Sequence, residues 1–214
     1  MDRVSTPYSR KAGARRKLLD AAIELIRRKG YSSTSVVELC AHAGVTKGAF
    51  FHHFESKNAL AVAATNHWSA ITGAFFGTAP YHQHDDPLDR VLGYVDFRKA
   101  IVQGEIAECT CLVGTMVQET YGTHPDIREA CEASISGHAG KIETDIALAM
   151  KRYRVRAAWI AESLAMHTQA VLQGAFILAK AKGGAAIAAA NIDHLHRYIE
   201  LLFQPAKRKL KEMS

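Results

Sequence analysis

The sequence predicts an all-α protein in two parts: a three-helix, helix-turn-helix domain over residues 1–60, and a larger helical domain over residues 61–214. Three observations predict it. Apolar residues recur at helical spacing almost everywhere, and no strand-like alternation survives beyond a few residues. One longer amphipathic segment is followed by two short ones joined at Ala43-Gly44-Val45, the makings of a helix-turn-helix. The charge is also segregated. Residues 1–60 hold 11 Lys/Arg against 5 Asp/Glu, whereas the remaining residues balance at 16 against 16.

A first helix is expected from about Gly13 to Lys29, because Leu18, Ala22, Leu25 and Ile26 line one face. Its basic last turn, Arg27-Arg28-Lys29, suits the negative end of the helix dipole, and Gly30 is a natural stop. Ser35-Val36-Val37-Glu38 reads as a capping box opening a short second helix. Gly44 permits the tight turn that follows, in a conformation a Cβ would resist. Thr46 caps a third helix through Phe54, and Ser56 caps a fourth that runs past Trp68. From residue 77 to 87 the pattern stops at Gly77, Pro80, two His, two Asp and Pro87, so a loop is expected. Further helices are expected from Leu88 to about Gly104, from Cys111 to Tyr121 and from near Pro125 to near Arg152. The last two run from about Ala157 to Lys182 and from Ala185 to Phe203, separated by Gly183-Gly184, with a basic, frayed tail from Pro205.

Composition excludes several classes. At 48% hydrophobic and 22% charged, the chain is not a disordered one outside its ends. The start, Met1 to Ser5, has no apolar segment behind its charges, so no secretory signal is expected there. No apolar run reaches the ~18 residues of a membrane span. The most apolar stretch, around Phe176-Ile177-Leu178-Ala179, is broken by Lys180, Lys182 and the Gly pair. A cytoplasmic protein without membrane contact is therefore expected. Its cysteines, Cys40, Cys109, Cys111 and Cys131, form no CxxC pair, and structural disulfides are not expected in that compartment. There is no G-x-S-x-G, HExxH, P-loop or Gly-rich dinucleotide turn, which argues against an enzyme. His82, His84 and the adjacent Asp residues have metal-ligand chemistry, but a polar loop accounts for them; no metal or cofactor is expected.

A solvated surface needs charge but has no reason to segregate its sign, whereas a module that binds a polyanion does. Leu39 is spaced to pack on Val45 and Phe50, fixing the angle between the two short helices. Phe50 and Phe54 then face the core, while Thr46, Lys47, Gly48, Ala49, Phe51, His52 and His53 face outward. Small residues at Gly48 and Ala49 let the helix approach a DNA major groove, with Ala49 suited to a thymine methyl and Lys47 to a guanine edge or a phosphate. His53 and Lys57 are placed to grip phosphates together with the dipole of the fourth helix, and Ser35, at the start of the second helix, joins the set.

The segment Gly44-Val45-Thr46-Lys47-Gly48-Ala49-Phe50-Phe51-His52-His53-Phe54-Glu55-Ser56-Lys57-Asn58-Ala59-Leu60 resembles the signature of the TetR family of bacterial transcriptional regulators, G-V-S-K-G-x-x-Y-x-H-F-x-S-K-x-x-L. Leu18-Leu19-Asp20-Ala21-Ala22, Gly30-Tyr31 and Thr34-Ser35-Val36 match the family's first two helices, so the detailed resemblance covers about residues 14 to 62. Two positions depart from it. Phe51 stands where the family commonly has Tyr, which removes a hydroxyl contact to phosphate. Val37 stands where an Arg or another polar residue often touches the DNA backbone, and here it can simply fill core space. The resemblance implies a sequence-specific regulator, usually a repressor, that binds a palindromic operator in double-stranded DNA as a homodimer. It also implies release by a small-molecule or electrophile effector held in the C-terminal domain.

The last two helices are the candidate dimer interface. Ile160, Leu164, His167, Val171, Ala175 and Leu178 form one stripe, and Ile192, Leu195, Ile199 and Leu202 another; the alternative is that both stripes are internal core. Residues 172–181 resemble the family's penultimate helix. Phe97, Ile101, Met116, Tyr121, Trp159 and Met166 are candidates to line an effector pocket, although apolar residues at helical spacing are equally plain core. Thr110-Cys111-Leu112-Val113-Gly114 is similar to a Cys-Leu step in family members that respond to electrophiles or oxidants. A cysteine at a helix start is a candidate reactive thiol, and Cys109 and Cys131 are its possible neighbours. The alternative is that all of them are inert. A nonspecific DNA-coating protein is disfavoured, since coating DNA needs no such neutral, apolar-striped domain.

Overall fold

The computed structural model of the chain describes residues 13–105, 108 and 110–212, with side chains as far as residue 204. Among the described residues the regular elements are all helical: α1 (Ala14–Lys29), α2 (Val36–Ala43), α3 (Lys47–His53), α4 (Lys57–Gly77), a 3₁₀ turn (Pro80–Gln83), α5 (Pro87–Ile101), α6 (Leu112–Thr120), α7 (Pro125–Arg152), α8 (Ala161–Lys182) and α9 (Ala186–Glu212).

The expected caps are present at the first helices. The Ser35 hydroxyl accepts from the Glu38 amide while the Glu38 carboxylate accepts from the Ser35 amide, closing a reciprocal box at the start of α2. Thr46 Oγ1 accepts from Ala49 N at 3.1 Å to start α3, and Ser56 Oγ accepts from Ala59 N at 3.0 Å to start α4. Gly44 adopts φ 63°, ψ 41°, the left-handed conformation the turn requires. Such caps satisfy amide groups that a helix start otherwise leaves unpaired, and each contributes about 1 kcal/mol.

Elsewhere the boundaries move for visible reasons. The loop at 77–87 contains the 3₁₀ turn, pinned by buried Tyr81, whose hydroxyl donates to Phe76 O at 3.2 Å. α5 stops at Ile101, three residues before Gly104, which has φ 84°. α8 begins at Ala161 rather than Ala157, where the Ser163 hydroxyl bonds back to Ile160. α9 does not end at Phe203; its backbone continues through Pro205 to Glu212.

Two cores organise these helices. In the first, Leu18, Leu25, Leu39, Phe50 and Leu60 pack together, and Leu112, Val113, Met116, Ile127 and Cys131 from α6 and α7 join them. The second gathers Phe76, Val91, Tyr94, Ile146, Leu172 and Phe203, from α4, α5, α7, α8 and α9. α4 therefore belongs to both: Leu60 and Ala61 sit in the first core and Phe76 in the second.

A polar seam joins the end of α1 to the region around α6. The Glu119 carboxylate accepts from the amides of Tyr31 at 3.0 Å and Ser32 at 2.8 Å. Gly30 lies against the same carboxylate at φ 92°, a conformation that favours glycine, and an added Cβ would displace the carboxylate from its place. Arg27 Nε donates to Thr110 O at 2.7 Å, Asn58 bonds Asp126, and the rings of Tyr31 and His124 meet edge-on at 5.4 Å.

Candidate functional site

Four residues apart on one helix, Phe50 and Phe54 fall on the same side of α3 and are buried. The opposite side presents Thr46, Lys47, Gly48, Phe51 and His52, all exposed, with Ala49 and His53 half-buried at its margin. Phe51 is 58% exposed, with its ring edge-on to Phe50 at 5.1 Å, and the rings of His52 and His53 lie 4.9 Å apart. Val37 is exposed as well, which corrects the reading of it as core filler. Ser35 is exposed, but its hydroxyl is occupied by the capping box. Glu38 in that box is held far below the usual carboxylate range, at about 2, first by the Lys29 hydrogen bond and then by those from Ser35.

Lys57 is not free to reach outward as expected. Its ammonium donates to Tyr31 O at 3.1 Å and Thr34 O at 3.0 Å and stands 4.1 Å from the centre of the Tyr31 ring. Burial lowers its pKa. The residue clamps the start of α4 to the turn between α1 and α2, which explains a lysine at this motif position without any phosphate.

Sequence reasoning counted the basic residues of α1 but did not assign them to a face. Arg15, Arg16 and Lys17 occupy a first turn that holds no acid, where the helix dipole disfavours cations, and Arg16 pairs with Asp20 one turn on at 2.9 Å. Arg15 stacks over the Phe54 ring at 5.3 Å, bringing this basic turn alongside the end of α3. Cations at the unfavourable end of a helix were the available signal.

A cavity of about 750 Å³ opens among α4, α5, α7, α8 and the segment before α6. Its apolar wall includes Trp68, Phe75, Phe76, Ile101, Val113 and Phe176, and its polar wall Arg98, His138, Lys141, Gln169 and Gln173. Arg27, from the reading half of the molecule, also lines it, and its guanidinium stacks on Trp68 at 4.8 Å. Tyr94 and His138 share a hydrogen bond of 2.9 Å, and Gln169 Nε2 donates to the Tyr94 hydroxyl at 3.3 Å. Burial, then the neighbouring Arg98 and Lys141, push His138 down to about 4, so it is neutral at pH 7.

Of the expected lining residues, Ile101 and Cys111 border this space. Phe97 stands behind the wall, against Phe75 and Phe76 at 5.3 and 5.6 Å. Met116 is corrected outright: it is fully buried in the first core, because α6 turns that face toward α1. Tyr121 and Met166 are exposed, and Trp159 packs on Phe203. Cys111 is half-buried and occupies the position just before α6. Cys131 is buried, its thiol pushed up to about 11 by burial, and Cys109 lies outside the described residues.

The dimer stripes also divide. Leu164, Ala175, Leu195 and Ile199 are buried in the second core, so they are not a free surface; the alternative reading was the right one for these four. Val171 is half-buried and Leu178 is 40% exposed. The apolar residues that do face out are Met166, Ile177 and Leu178 on α8 and Tyr198 and Leu201 on α9, and the rings of His167 and Tyr198 bring the two helices' outer sides within 5.2 Å. Among the described residues no helix is long and apolar enough to cross a membrane, and no cluster that could hold a metal ion forms.

Comparison with known proteins agrees with this architecture. The family model for bacterial regulatory proteins of the tetR family matches residues 18–64, and that for the tetracyclin repressor-like C-terminal domain matches residues 87–195. The chain is 33% identical over 56 residues to the HTH-type transcriptional regulator YerO of Bacillus subtilis, covering 26% of this chain and 19% of that protein. It is 28% identical over 127 residues to the transposon Tn10 TetC protein of Escherichia coli, covering 48% of this chain and 64% of that protein. The chain thus spans less than two thirds of either relative. A TetR transcriptional regulator from Chloroflexus aurantiacus superposes with a TM-score of 0.76 at 26% identity, covering 87% of this chain and 94% of that one. With the reading helix, the helical body and both halves of the family pattern in place, the chain belongs to the TetR family of DNA-binding transcriptional regulators.

Proposed function

We propose that the protein is a repressor that grips a pseudo-palindromic operator as a homodimer through α3 and lets go when a small molecule fills the cavity. The observation that carries this reading is the sharing of α4. Its N-terminal turns, at Leu60 and Ala61, lie in the core beneath α3, and its later turns supply Trp68, Thr72 and Phe76 to the cavity wall. A ligand that wedges the cavity therefore acts on the helix that supports the reading head. The thermodynamic requirement is only that it favours the arrangement that fits DNA less well. Thr46, Lys47, Gly48, Ala49, Phe51, His52 and His53 form the reading surface, with Arg15 at its flank. The exposed stripe of Met166, Ile177, Leu178, Tyr198 and Leu201 is the dimer face, since a single helix-turn-helix makes too few contacts for useful specificity.

Selection from a random duplex library tests the proposal. The enriched sequences should contain two inverted half-sites whose centres are about one helical turn, or a multiple of it, apart. Equal binding of all duplexes would remove the claim of specificity. A second reading, in which the effector is an electrophile, is favoured by the place of Cys111, on the cavity wall and just before α6. Mass spectrometry after exposure to a mild electrophile decides it: an adduct at Cys111 supports it, and an unmodified Cys111 in the folded protein sinks it.

A further inference from the structure

Charged side chains that turn inward in this protein are nearly all matched. Arg90 pairs with Asp145 at 2.7 Å, and Arg27 bonds the Thr110 carbonyl. Arg98, in the last turn of α5 and on the wall of the cavity, is different. Its Nε is sealed from solvent with no hydrogen-bond partner, and it forms no ion pair among the described residues. What it touches are two aromatic faces, Phe76 at 5.1 Å and Phe176 at 5.6 Å. A guanidinium N–H taken out of water without a partner is costly, and two ring faces return only part of that cost.

We propose that the cavity takes an organic carboxylate with an apolar body, and that Arg98 is its charge partner; this rests on reading the cavity as the effector site. The walls select for that class. Arg27, Arg98 and Lys141 line the space against one carboxylate, Glu108; Lys141 and Glu108 are both exposed, which leaves Arg27 and Arg98 as the inner charges. The Lys141 ammonium lies over Gly73 of α4, 3.1 Å from where a Cβ would stand, at the edge of the space. Thr110 Oγ1, also on the wall, is buried without a partner. A planar, forked donor matches a carboxylate in two parallel hydrogen bonds. Trp68, Phe75, Phe76, Ile101 and Phe176 accept an alkyl or aryl body, and about 750 Å³ suits one of that size. A cationic ligand would repel Arg98, and a neutral one would leave it unmatched.

The test is calorimetric titration of the full-length protein, without DNA, using two matched series: 4-phenylbutyrate, 4-phenylbutanol and 4-phenylbutylamine, then octanoate, octanol and octylamine. In at least one series the carboxylate should bind about tenfold more tightly than the alcohol, with the amine weakest. In Arg98→Met the preference should fall to within about threefold while the alcohol binds as before, and Arg98→Lys should keep it in part. Equal affinities in the wild type, no saturable carboxylate binding below about 1 mM in either series, or an undiminished preference in a folded Arg98→Met would each overturn the proposal. Because the wild-type series decides the sign by itself, a misfolded variant does not rescue it. Carboxylate binding that leaves duplex affinity unchanged would support the anion site while removing the effector reading.

Discussion

The reading head and the hollow body solve opposite problems. Between residues 13 and 60, α2 and α3 are short, the helix starts at Ser35, Thr46 and Ser56 are capped by side chains, and Phe50 is completely enclosed. The body instead borders about 750 Å³ of space and keeps the Arg98 Nε unmatched on its wall. A surface that must match a fixed groove gains from a single geometry, so its residues go into caps and filled core. A part that must change with a ligand needs space, and charge left for the ligand to match. The seam of Glu119, Arg27 and α4 is where one meets the other.

The sharpest way to break the contrast is at the centre of the head. Phe50→Ala removes a fully buried ring from under α3 and should cost about 3–5 kcal/mol of stability by chemical denaturation. A loss below about 1 kcal/mol would mean the head is not tightly filled.

The body should show its own signature with pH. His138 has its pKa depressed to about 4 against the 6.5 of a free imidazole, so the unfolded chain takes up its proton first as pH falls. The contribution of this group is complete above about 6.5 and is lost progressively down to about 4, amounting to at most about 3 kcal/mol. His138→Asn should flatten the dependence of melting temperature on pH in that window. An unchanged slope would assign the acid sensitivity to other groups.

The seam is predicted to matter less for stability than for communication. Glu119→Ala releases two amides of the turn after α1 and should cost about 1 kcal/mol, because the residue is exposed. Duplex binding should persist while the response to cavity ligands weakens. A full response in this variant would place the coupling in α4 alone. Smallest in stability is Lys47→Ala, on an exposed side chain. The melting temperature should not move, but the slope of log affinity against log salt should fall by about 1. An unaltered slope would take Lys47 out of contact with phosphate.

The head was largely legible in the sequence because its signals are local. Ser35 with Glu38, Gly44, Thr46 and Ser56 each act within four residues, and the Phe50–Phe54 pair follows from helical spacing. At Lys57 the motif position does not announce that the ammonium is also held by two carbonyls of the turn between α1 and α2. In the body the pattern was ambiguous rather than weak. α8 is apolar on two sides, so Leu164 and Ala175 face the core while Ile177 and Leu178 face out, and periodicity cannot tell one side from the other. Met116 shows the same limit, since an apolar residue does not say which of two cores it joins. No local pattern singles out Arg98 or Glu119, and only the packing of α5 and α6 gives them roles.

The central claim is that occupancy of the cavity is felt at α3, and a built-in occupant tests it without knowing the natural ligand. Ser134 of α7 lines the cavity and its hydroxyl bonds that of Ser69 on α4 at 2.7 Å. Ser134→Trp forces bulk between these two helices, at a cost of about 1–3 kcal/mol that the fold should survive. Fluorescence anisotropy on a selected duplex should then give an affinity at least about tenfold weaker than that of the wild type. Equal affinity in a folded Ser134→Trp protein would contradict the claim.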